Sequence, residues 1–409
     1  MIVQEMEGGI TTPSGFSCSA SKGGLRKSGR NDIAILFSEK KCSAAAVFTT
    51  NRLKAACVLV TAKHLSESGG RMHGAVINSG NANALTGEEG LRNAVRMAET
   101  AAAELNVSPA EMAVCSTGII GVQLPIDRVV EGIRKAATAL STSREAATLA
   151  AEAIMTTDRR IKESALTLTL SDGRKVSIGG MTKGSGMISP SMAALHATTL
   201  TFITTDAPVS QQYLQSCLES CTRRTFNMIS VDADQSTNDT ILALANGAAG
   251  GPAITADPAF EKGLEKVMWQ LARMVAMDGE GETKLLTVTV EGAASEEDAS
   301  AAALSVVKSN LVKCAVFGSD PNVGRIASAI GNSGATVDFG KLDVSIGPEG
   351  EVPVIAGGLV TGNAGEAAHL MSGREVFVVV RLNMGVFSSR AMGCDLTYEY
   401  VRINSAYST

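Results

Sequence analysis

Hydrophobic residues follow two patterns, which alternate along the chain. Short apolar runs bounded by turn residues predict strands, and longer segments with an apolar residue every third or fourth position predict helices. The predicted strands cover 33–37, 44–48, 57–61, 74–78, 113–116, 166–170, 174–178, 198–205, 288–290, 311–317, 342–346, 376–380 and 397–403. The predicted helices cover 88–105, 126–140, 144–155, 208–223, 258–277, 297–308 and 323–330. Strands that alternate with helices in this way are typical of an α/β protein.

The stretch from Lys183 to Ala207 combines a glycine-rich turn with a buried strand. It begins KGSG, and the β-branched run 198–205 predicts a strand in the core. Between turn and strand, Ala197 precedes Thr198, so a small residue is followed by a hydroxyl nucleophile. The plain interpretation is a loop that enters a core strand. The other interpretation is a site at which the protein cuts its own backbone.

Self-cleavage would turn Thr198 into a complete catalytic unit. Its hydroxyl attacks the carbonyl carbon of Ala197, the chain shifts onto the hydroxyl oxygen, and hydrolysis frees a new N-terminal threonine. The α-amino group of an N-terminal residue has a pKa of about 8, so it can accept the proton of its own residue's hydroxyl at neutral pH. A single residue would then supply both nucleophile and base, and no histidine would be needed.

The processing region resembles that of the ornithine acetyltransferase family, the self-cleaving glutamate N-acetyltransferases of arginine biosynthesis. The matching residues are KGSGMI, a proline, and the pattern AT-x-L-x-F-x-TTDA. The family has Met-Ala-Thr soon after the proline, whereas Met192 and Ala193 are followed here by another alanine. The next pair, Ala197 and Thr198, aligns without gaps through the TTDA run. The resemblance therefore places the cleavage between these two residues, in a longer loop than usual, and leaves Thr199 as the other candidate nucleophile.

Further motifs carry the same resemblance along nearly the whole chain. They are NSGNAN at 78–83, STGIIG at 116–121, MTTD at 155–158, DGEGETK at 278–284, DPNVGR at 320–325 and YVRINSAYST at 400–409. Each alone is compatible with an ordinary loop or turn. Their number and their order make the resemblance specific.

The resemblance implies an acetyltransferase that moves acetyl from N2-acetylornithine to glutamate through an acetyl ester on Thr198. Thr117 and Gly118 are expected to stabilise the oxyanion of the tetrahedral intermediate. The residues expected to bind the amino-acid substrates are Thr157, Lys183, Thr198, Glu280, Asn404 and Thr409. Lys183 suits a substrate carboxylate, and Glu280 suits a substrate ammonium group.

The resemblance also implies two chains of nearly equal length that share one active site. They are an N-terminal (alpha) chain, 1–197, and a C-terminal (beta) chain, 198–409, which begins with the nucleophile. The implied α/β fold consists of stacked β-sheets flanked by helices, and the implied assembly is a heterotetramer of two alpha and two beta chains. No cofactor is expected. No motif decides whether acetyl-CoA serves as a second acetyl donor.

The composition argues against several classes of protein. The net charge is −5, which argues against a nucleic-acid surface. No apolar run reaches the roughly 18 residues of a membrane span, and the N-terminus lacks the pattern of a signal peptide. The eight cysteines form no Cys-x-x-Cys pair and the four histidines form no His-Glu-x-x-His motif, so no metal site is expected. These features predict a reduced, cytoplasmic protein.

Two other functions remain open at this point. A related self-processed amidase or aminopeptidase would share the nucleophile and use water as the acceptor, so trapping of the acetyl group by glutamate discriminates it. A binding protein without enzymatic activity would keep the glycine-rich loops, and it would show binding without cleavage or turnover.

Overall fold

The computed structural model describes residues 3–26, 28–189 and 199–406, which form two β-sheets and the helices that cover them. The strands are β1 (Val3–Met6), β2 (Phe16–Ser21), β3 (Ile33–Phe48), β4 (Arg71–Asn81), β5 (Met112–Ile119), β6 (Lys162–Thr169), β7 (Lys175–Lys183), β8 (Leu200–Thr205), β9 (Ile229–Ser230), β10 (Thr240–Ala245), β11 (Leu285–Ala293), β12 (Asp343–Ile346), β13 (Val352–Ala356), β14 (Leu359–Val360), β15 (Glu375–Arg381) and β16 (Phe387–Cys394). The helices are α1 (Ala56–Glu67), α2 (Gly87–Leu105), α3 (Ile126–Ala137), α4 (Arg144–Ala153), α5 (Gln211–Arg224), α6 (Pro258–Ala276), α7 (Glu296–Lys308), α8 (Asn310–Phe317), α9 (Val323–Gly331), α10 (Ala364–Met371) and α11 (Tyr398–Ala406). The α/β class predicted from the alternating pattern is confirmed.

The first sheet has nine strands among the described residues. Eight of them follow the order β1-β6-β7-β8-β10-β3-β4-β5, and β2 pairs with β3. β8 and β10 run parallel to each other, while β8 is antiparallel to β7 and β10 is antiparallel to β3. Strands from before and after residue 197 are therefore interleaved in the middle of one sheet.

The central strands are buried on both faces, which explains why β10, TILALA, is apolar at every position after Thr240. Leu242 and Leu244 belong to a core shared with α1 to α4 on one face. Ile241 and Ala243 belong to a second core shared with α5 and α6 on the other face. Successive side chains of a strand point to opposite faces, so this one strand contributes to both cores.

The second sheet, also counted within the described ranges, has seven strands in the order β14-β13-β12-β15-β11-β16-β9. A third core lies between this sheet and helices α7 to α10. The core side chains are aliphatic and small, as expected for a chain with 45% hydrophobic but only 4% aromatic residues. Both sheets are thus flanked by helices, in agreement with the predicted architecture.

Three segments that were predicted as strands are helices. Residues 57–61 lie in α1, residues 311–317 form most of α8, and residues 397–403 lie largely in α11. A short apolar run cannot distinguish a strand from a buried helix, and the first two segments are of this kind. In the third segment, 397–403, the alternating residues are mostly polar. The alternation therefore did not mark the buried face of a strand. The predicted strands 33–37 and 44–48 are the two ends of the single strand β3.

No single helix in the described part of the chain is long and apolar enough to cross a membrane. Helices α7 and α8 meet the criteria of length and composition only when they are taken together. They are bent by 58° relative to each other.

A buried lysine joins three loops beside β7. Lys162, at the start of β6, is 1% exposed, and its Nζ lies 2.6 Å from an oxygen of Asp158 and 2.6 Å from an oxygen of Asp278. Asp158 also accepts a hydrogen bond of 2.7 Å from the N–H of Gly184. Burial opposes ionisation of Asp158, but the charges of Lys162 and Lys183 outweigh it and lower its pKa. This ion cluster fixes the loops before β6, after β7 and after α6 relative to one another.

Replacement of Lys162 with Met is expected to lower the free energy of unfolding by roughly 3–5 kcal/mol, because it leaves two buried carboxylates without their shared cation. The midpoint of thermal unfolding measures the effect. The matched control is Lys63→Met, which removes a solvent-exposed ion pair with Glu67 and should change the midpoint little. Equal midpoints for the two variants would show that the buried cluster does not stabilise the fold.

Candidate active site

Six of the residues predicted to act on substrate line a single cleft. They come from the end of β5, the loop before β6, the end of β7, the loop after α6, and α11. The six residues are Thr117, Gly118, Thr157, Lys183, Glu280 and Asn404. The other predicted site residues, Ala197, Thr198 and Thr409, lie outside the described residues. The chain thus brings together side chains that are separated by up to 287 positions in the sequence.

The end of β5 presents a hydroxyl and a glycine backbone to the cleft. β5 pairs in parallel with β4, so that Thr117 lies opposite Ser79 and Gly118 lies opposite Gly80. Gly118 has a φ of +133°, and a Cβ at this position would lie 2.3 Å from the carbonyl carbon of Gly80. Only glycine fits this backbone and this close approach. The backbone N–H of Gly118 and the hydroxyl of Thr117 are the kinds of donor that form an oxyanion hole.

Lys183 is buried against the Thr117 hydroxyl. Its ammonium donates a hydrogen bond of 3.3 Å to Thr117 Oγ1, and its residue is 3% exposed. An ammonium group only donates, so the Thr117 hydroxyl accepts this bond and keeps its own proton free for another acceptor. Burial lowers the pKa of Lys183, while the nearby carboxylates of Asp158, Asp239 and Glu280 favour its charged form. The lysine therefore places positive charge directly behind the predicted oxyanion donor.

Glu280 carries the carboxylate of the cleft. Its Oε2 accepts a hydrogen bond of 2.9 Å from the Asn404 amide, and its backbone N–H donates to the Ser185 carbonyl over 3.3 Å. A Cβ on Gly186 would lie 2.5 Å from the carboxyl carbon of Glu280. The glycine in the KGSG turn is therefore required for the carboxylate to reach this position.

Helix α11 carries Asn404 to the cleft. The Thr397 hydroxyl donates 2.7 Å to the Gly281 carbonyl and accepts a hydrogen bond of 3.2 Å from the Tyr400 N–H, which anchors the start of the helix. The Tyr400 hydroxyl also lies 3.4 Å from a carboxylate oxygen of Asp232. The sequence pattern placed Asn404 just after a strand. It lies instead in a helix that is docked on the loop containing Glu280.

Asn238 is a site residue that sequence reasoning did not assign. Its side-chain amide is 3% exposed and donates to the carbonyl oxygens of Ala82, over 2.6 Å, and Ser116, over 2.8 Å. Because Ser116 precedes Thr117, this amide holds the end of β5 against the loop that follows β4. The signal in the sequence is the run STND at 236–239, in which four polar residues come directly before an apolar strand.

Asp232 supports the other wall of the cleft. It accepts hydrogen bonds from the backbone N–H groups of Met187, over 2.6 Å, and Ile188, over 2.8 Å. Burial raises its pKa to about 6, although these two hydrogen bonds favour the ionised form. This role of Asp232 depends on a contact with a segment 45 positions away, which no local sequence pattern reports.

Within the described ranges, no three His, Cys, Asp or Glu side chains are grouped as a metal site would require. The polar groups of the cleft are instead a hydroxyl, an ammonium, a carboxylate and amides. These groups suit a small zwitterionic ligand.

Comparison with known proteins identifies the family. The ArgJ family model matches residues 17–409. The arginine biosynthesis bifunctional protein ArgJ of Symbiobacterium thermophilum is 47% identical, over 99% of both chains, and a glutamate N-acetyltransferase of Methanocaldococcus jannaschii is 40% identical, also over 99% of both. A crystal structure of the arginine biosynthesis bifunctional protein argJ from Bacillus halodurans is 41% identical and covers 50% of this chain and 97% of its own, with a TM-score of 0.48. The resemblance seen in the sequence motifs is thereby confirmed, and the chain belongs to the ArgJ family.

Proposed function

We propose that the protein transfers acetyl from N2-acetylornithine to glutamate, giving ornithine and N-acetylglutamate, through an acetyl ester on Thr198. The observation that carries this proposal is the cleft, in which Thr117, Lys183 and Glu280 set a hydroxyl, an ammonium and a carboxylate around one space. The names of the matched relatives, a glutamate N-acetyltransferase and a bifunctional arginine biosynthesis protein, support the same reaction.

The first half of the reaction forms the ester. The α-amino group of Thr198, as an N-terminus, accepts the proton of the Thr198 hydroxyl while the oxygen attacks the acetyl carbonyl carbon. The carbonyl oxygen becomes an oxyanion, which the Thr117 hydroxyl and the Gly118 N–H stabilise. When the intermediate collapses, the C–N bond breaks, the Thr198 ammonium returns the proton to the departing nitrogen, and ornithine leaves.

The second half transfers the acetyl group to glutamate. The glutamate amine attacks the ester carbonyl carbon, and the same two donors stabilise the second oxyanion. The α-amino group of Thr198 takes the proton that the attacking amine loses, and it passes this proton to the Thr198 oxygen as the C–O bond breaks and N-acetylglutamate leaves. The scheme is of the ping-pong type, and it balances without an added cofactor.

The remaining predicted residues position the two amino acids. Lys183 attracts the substrate carboxylate and Glu280 attracts a substrate ammonium group, with the Asn404 amide holding the Glu280 carboxylate. We assign Thr157 and Thr409 to the same task, as hydroxyl groups that bind polar substrate atoms. A cleft that contains both a cation and a carboxylate suits an amino acid and disfavours an uncharged amide substrate.

Self-cleavage divides the chain into 1–197 and 198–409 in this proposal. β8, which follows the cut, pairs with β7 of the first chain and with β10 of the second, and β10 pairs with β3 of the first chain. Both chains therefore contribute to one sheet and to one cleft. We further propose a heterotetramer of two alpha and two beta chains, which the mass of the native complex tests.

Two further proposals concern the donor and the location. Acetyl-CoA is proposed as a second acetyl donor, in keeping with the word bifunctional in the names of bacterial relatives. Assays with each donor alone decide this point, and acetyl release into water without capture by glutamate would indicate an amidase. A cytoplasmic location is proposed because all eight cysteines are free thiols and seven of them are buried.

The purified protein is expected to consist of two fragments, and the downstream fragment should begin Thr-Thr-Leu-Thr-Phe. Thr198→Ala should remain one chain without activity, because cleavage and acetyl transfer both need its hydroxyl. Thr199→Ala is the matched control, since it removes the neighbouring hydroxyl and should still be cut. Intact-mass spectra and N-terminal sequencing provide the measurement. A downstream fragment that starts at Thr199 would contradict the assignment.

Removal of the Thr117 hydroxyl by Thr117→Ala is expected to lower kcat by roughly 10²–10³, the usual effect of losing one oxyanion donor. KM should change little, because the donor acts mainly in the transition state. Thr117→Ser keeps the hydroxyl and should retain most of the activity. Steady-state kinetics with N2-acetylornithine and glutamate measure both constants. A change confined to KM would assign the residue to substrate binding.

Glu280→Gln should weaken binding of ornithine and glutamate by roughly ten- to a hundredfold, because a charge-assisted hydrogen bond is replaced by a neutral one. Self-cleavage should remain complete, as judged by intact mass. Glu399→Gln is the control, since it removes an exposed carboxylate of α11 that pairs with Arg402. Calorimetric titration measures affinity, and wild-type affinity of Glu280→Gln for both amino acids would refute the role.

A further inference from the structure

A groove that shares no lining residue with the cleft lies between the helices of the first sheet and the strands of the second. Helices α5 and α6 line it on one side, and strands β11 and β16 and the start of α7 line it on the other. Its volume is about 690 Å³. Sites for small molecules typically have volumes of about 300–1,000 Å³ and often lie between structural units. The groove therefore has the size and the place of a ligand site.

Positive charge predominates in the groove. Five of its lining side chains are cations and three are carboxylates. Arg224 pairs with Glu265 over 2.8 Å. Lys266 pairs with Glu5 over 2.6 Å. The other three cations have no carboxylate partner in the described part of the chain, and all three are exposed: Arg223 on α5, Lys262 on α6 and Arg390 on β16.

The carboxylates of the groove offset only part of this charge. Glu265 is engaged by Arg224, and Glu291 pairs with Arg381 over 3.1 Å. Glu296, at the start of α7, has no cationic partner within the described ranges. Three unpaired cations therefore stand against one unpaired carboxylate, although the chain as a whole carries a net charge of −5. A concave surface with such a local excess of cations attracts an anion.

The single tryptophan of the chain also lines the groove. Trp269 is half-buried, and the guanidinium carbon of Arg390 lies 5.9 Å from the centre of its ring. Indole and guanidinium groups are both planar, and planar bases stack on such groups. The hydroxyl groups of Thr289 and Ser388 line the same groove, and hydroxyls can donate to phosphate oxygens. Cations, hydroxyls and a planar surface together suit a ligand that carries both phosphate and a base.

We propose that this groove binds a phosphate-bearing nucleotide, with its phosphates held by Arg223, Lys262 and Arg390 and its base against Trp269. Two of these cations are arginines, and a guanidinium group can donate two parallel hydrogen bonds to one phosphate. Free nucleotides and the nucleotide portion of coenzyme A share this chemistry. The inference does not rest on the proposed function, because no residue of the cleft lines the groove.

Titrations with ADP, coenzyme A and adenosine test the proposal, with tryptophan fluorescence and calorimetry as the two measurements. Because Trp269 is the only tryptophan, a change in emission reports on the groove. ADP and coenzyme A should bind with a Kd below about 1 mM, and adenosine should bind at least about tenfold more weakly because it lacks phosphate. Similar Kd values for ADP and coenzyme A assign the groove to nucleotides in general. A Kd at least about tenfold lower for coenzyme A assigns it to that ligand.

Arg223→Gln, Lys262→Gln and Arg390→Gln should each weaken ADP binding by roughly three- to tenfold, because each removes one exposed charge from the phosphates. Arg128→Gln is the matched control. It removes an exposed cation of α3 that does not line the groove, so the Kd for ADP should not change. Calorimetry compares the variants, since Arg390→Gln also changes the surroundings of the indole.

The proposal is wrong if neither ADP nor coenzyme A shows saturable binding, or if Arg128→Gln weakens binding as much as the groove variants do. Displacement of ADP by an equal concentration of sulfate would also overturn it, because the groove would then be an unselective anion surface. Acetyl transfer from N2-acetylornithine to glutamate should keep its rate in every groove variant. Absence of that transfer in wild-type protein would contradict the proposed function and would leave the outcome of the titrations unchanged.

Discussion

The ion cluster around Lys162 is the constraint on which the cleft depends. One ammonium lies 2.6 Å from each of two buried carboxylates, Asp158 and Asp278, which belong to loops on either side of it. Buried charges are tolerated only where partners satisfy them, so these loops can adopt one relative arrangement. That arrangement places Thr157 next to the first carboxylate and Glu280 shortly after the second. The positions of these two cleft residues are thus set by an interaction between side chains that do not line the cleft.

Asp158 connects this cluster electrostatically with the cleft residue Lys183. Asp158 acts on Lys162 and Lys183 together, and Lys183 contacts the Thr117 hydroxyl over 3.3 Å. The sequence predicted that Lys183 binds a substrate carboxylate. Its position behind Thr117 means that the same ammonium can attract the substrate and strengthen the oxyanion donor, because a hydroxyl that accepts from a cation becomes a better donor.

Much of the candidate site could be predicted from the sequence because Thr117, Gly118 and Glu280 stand in motifs that resemble those of the family. The composition of these motifs alone indicated only a turn or a charge. What could not be predicted depended on contacts between distant segments. Asn238 holds the end of β5 through hydrogen bonds to the carbonyl oxygens of Ala82 and Ser116, and no local pattern reports these contacts. The strand expected at 397–403 was wrong for a related reason: the docking of α11 through Thr397 and Gly281, rather than local alternation, decides its conformation.

The position of β8 has a consequence for assembly. In the proposed mature enzyme, β8, which begins at Leu200, lies between β7 of the other chain and β10 of its own. The peptide bond before Thr198 therefore acts as a tether that keeps the two halves at high effective concentration until the sheet has formed. Once that tether is cut, the halves are held by the sheet alone, and an unfolded molecule can regain its structure only by a bimolecular encounter. In this proposal each molecule folds once, as a single chain, and the two halves then stay together by kinetic stability.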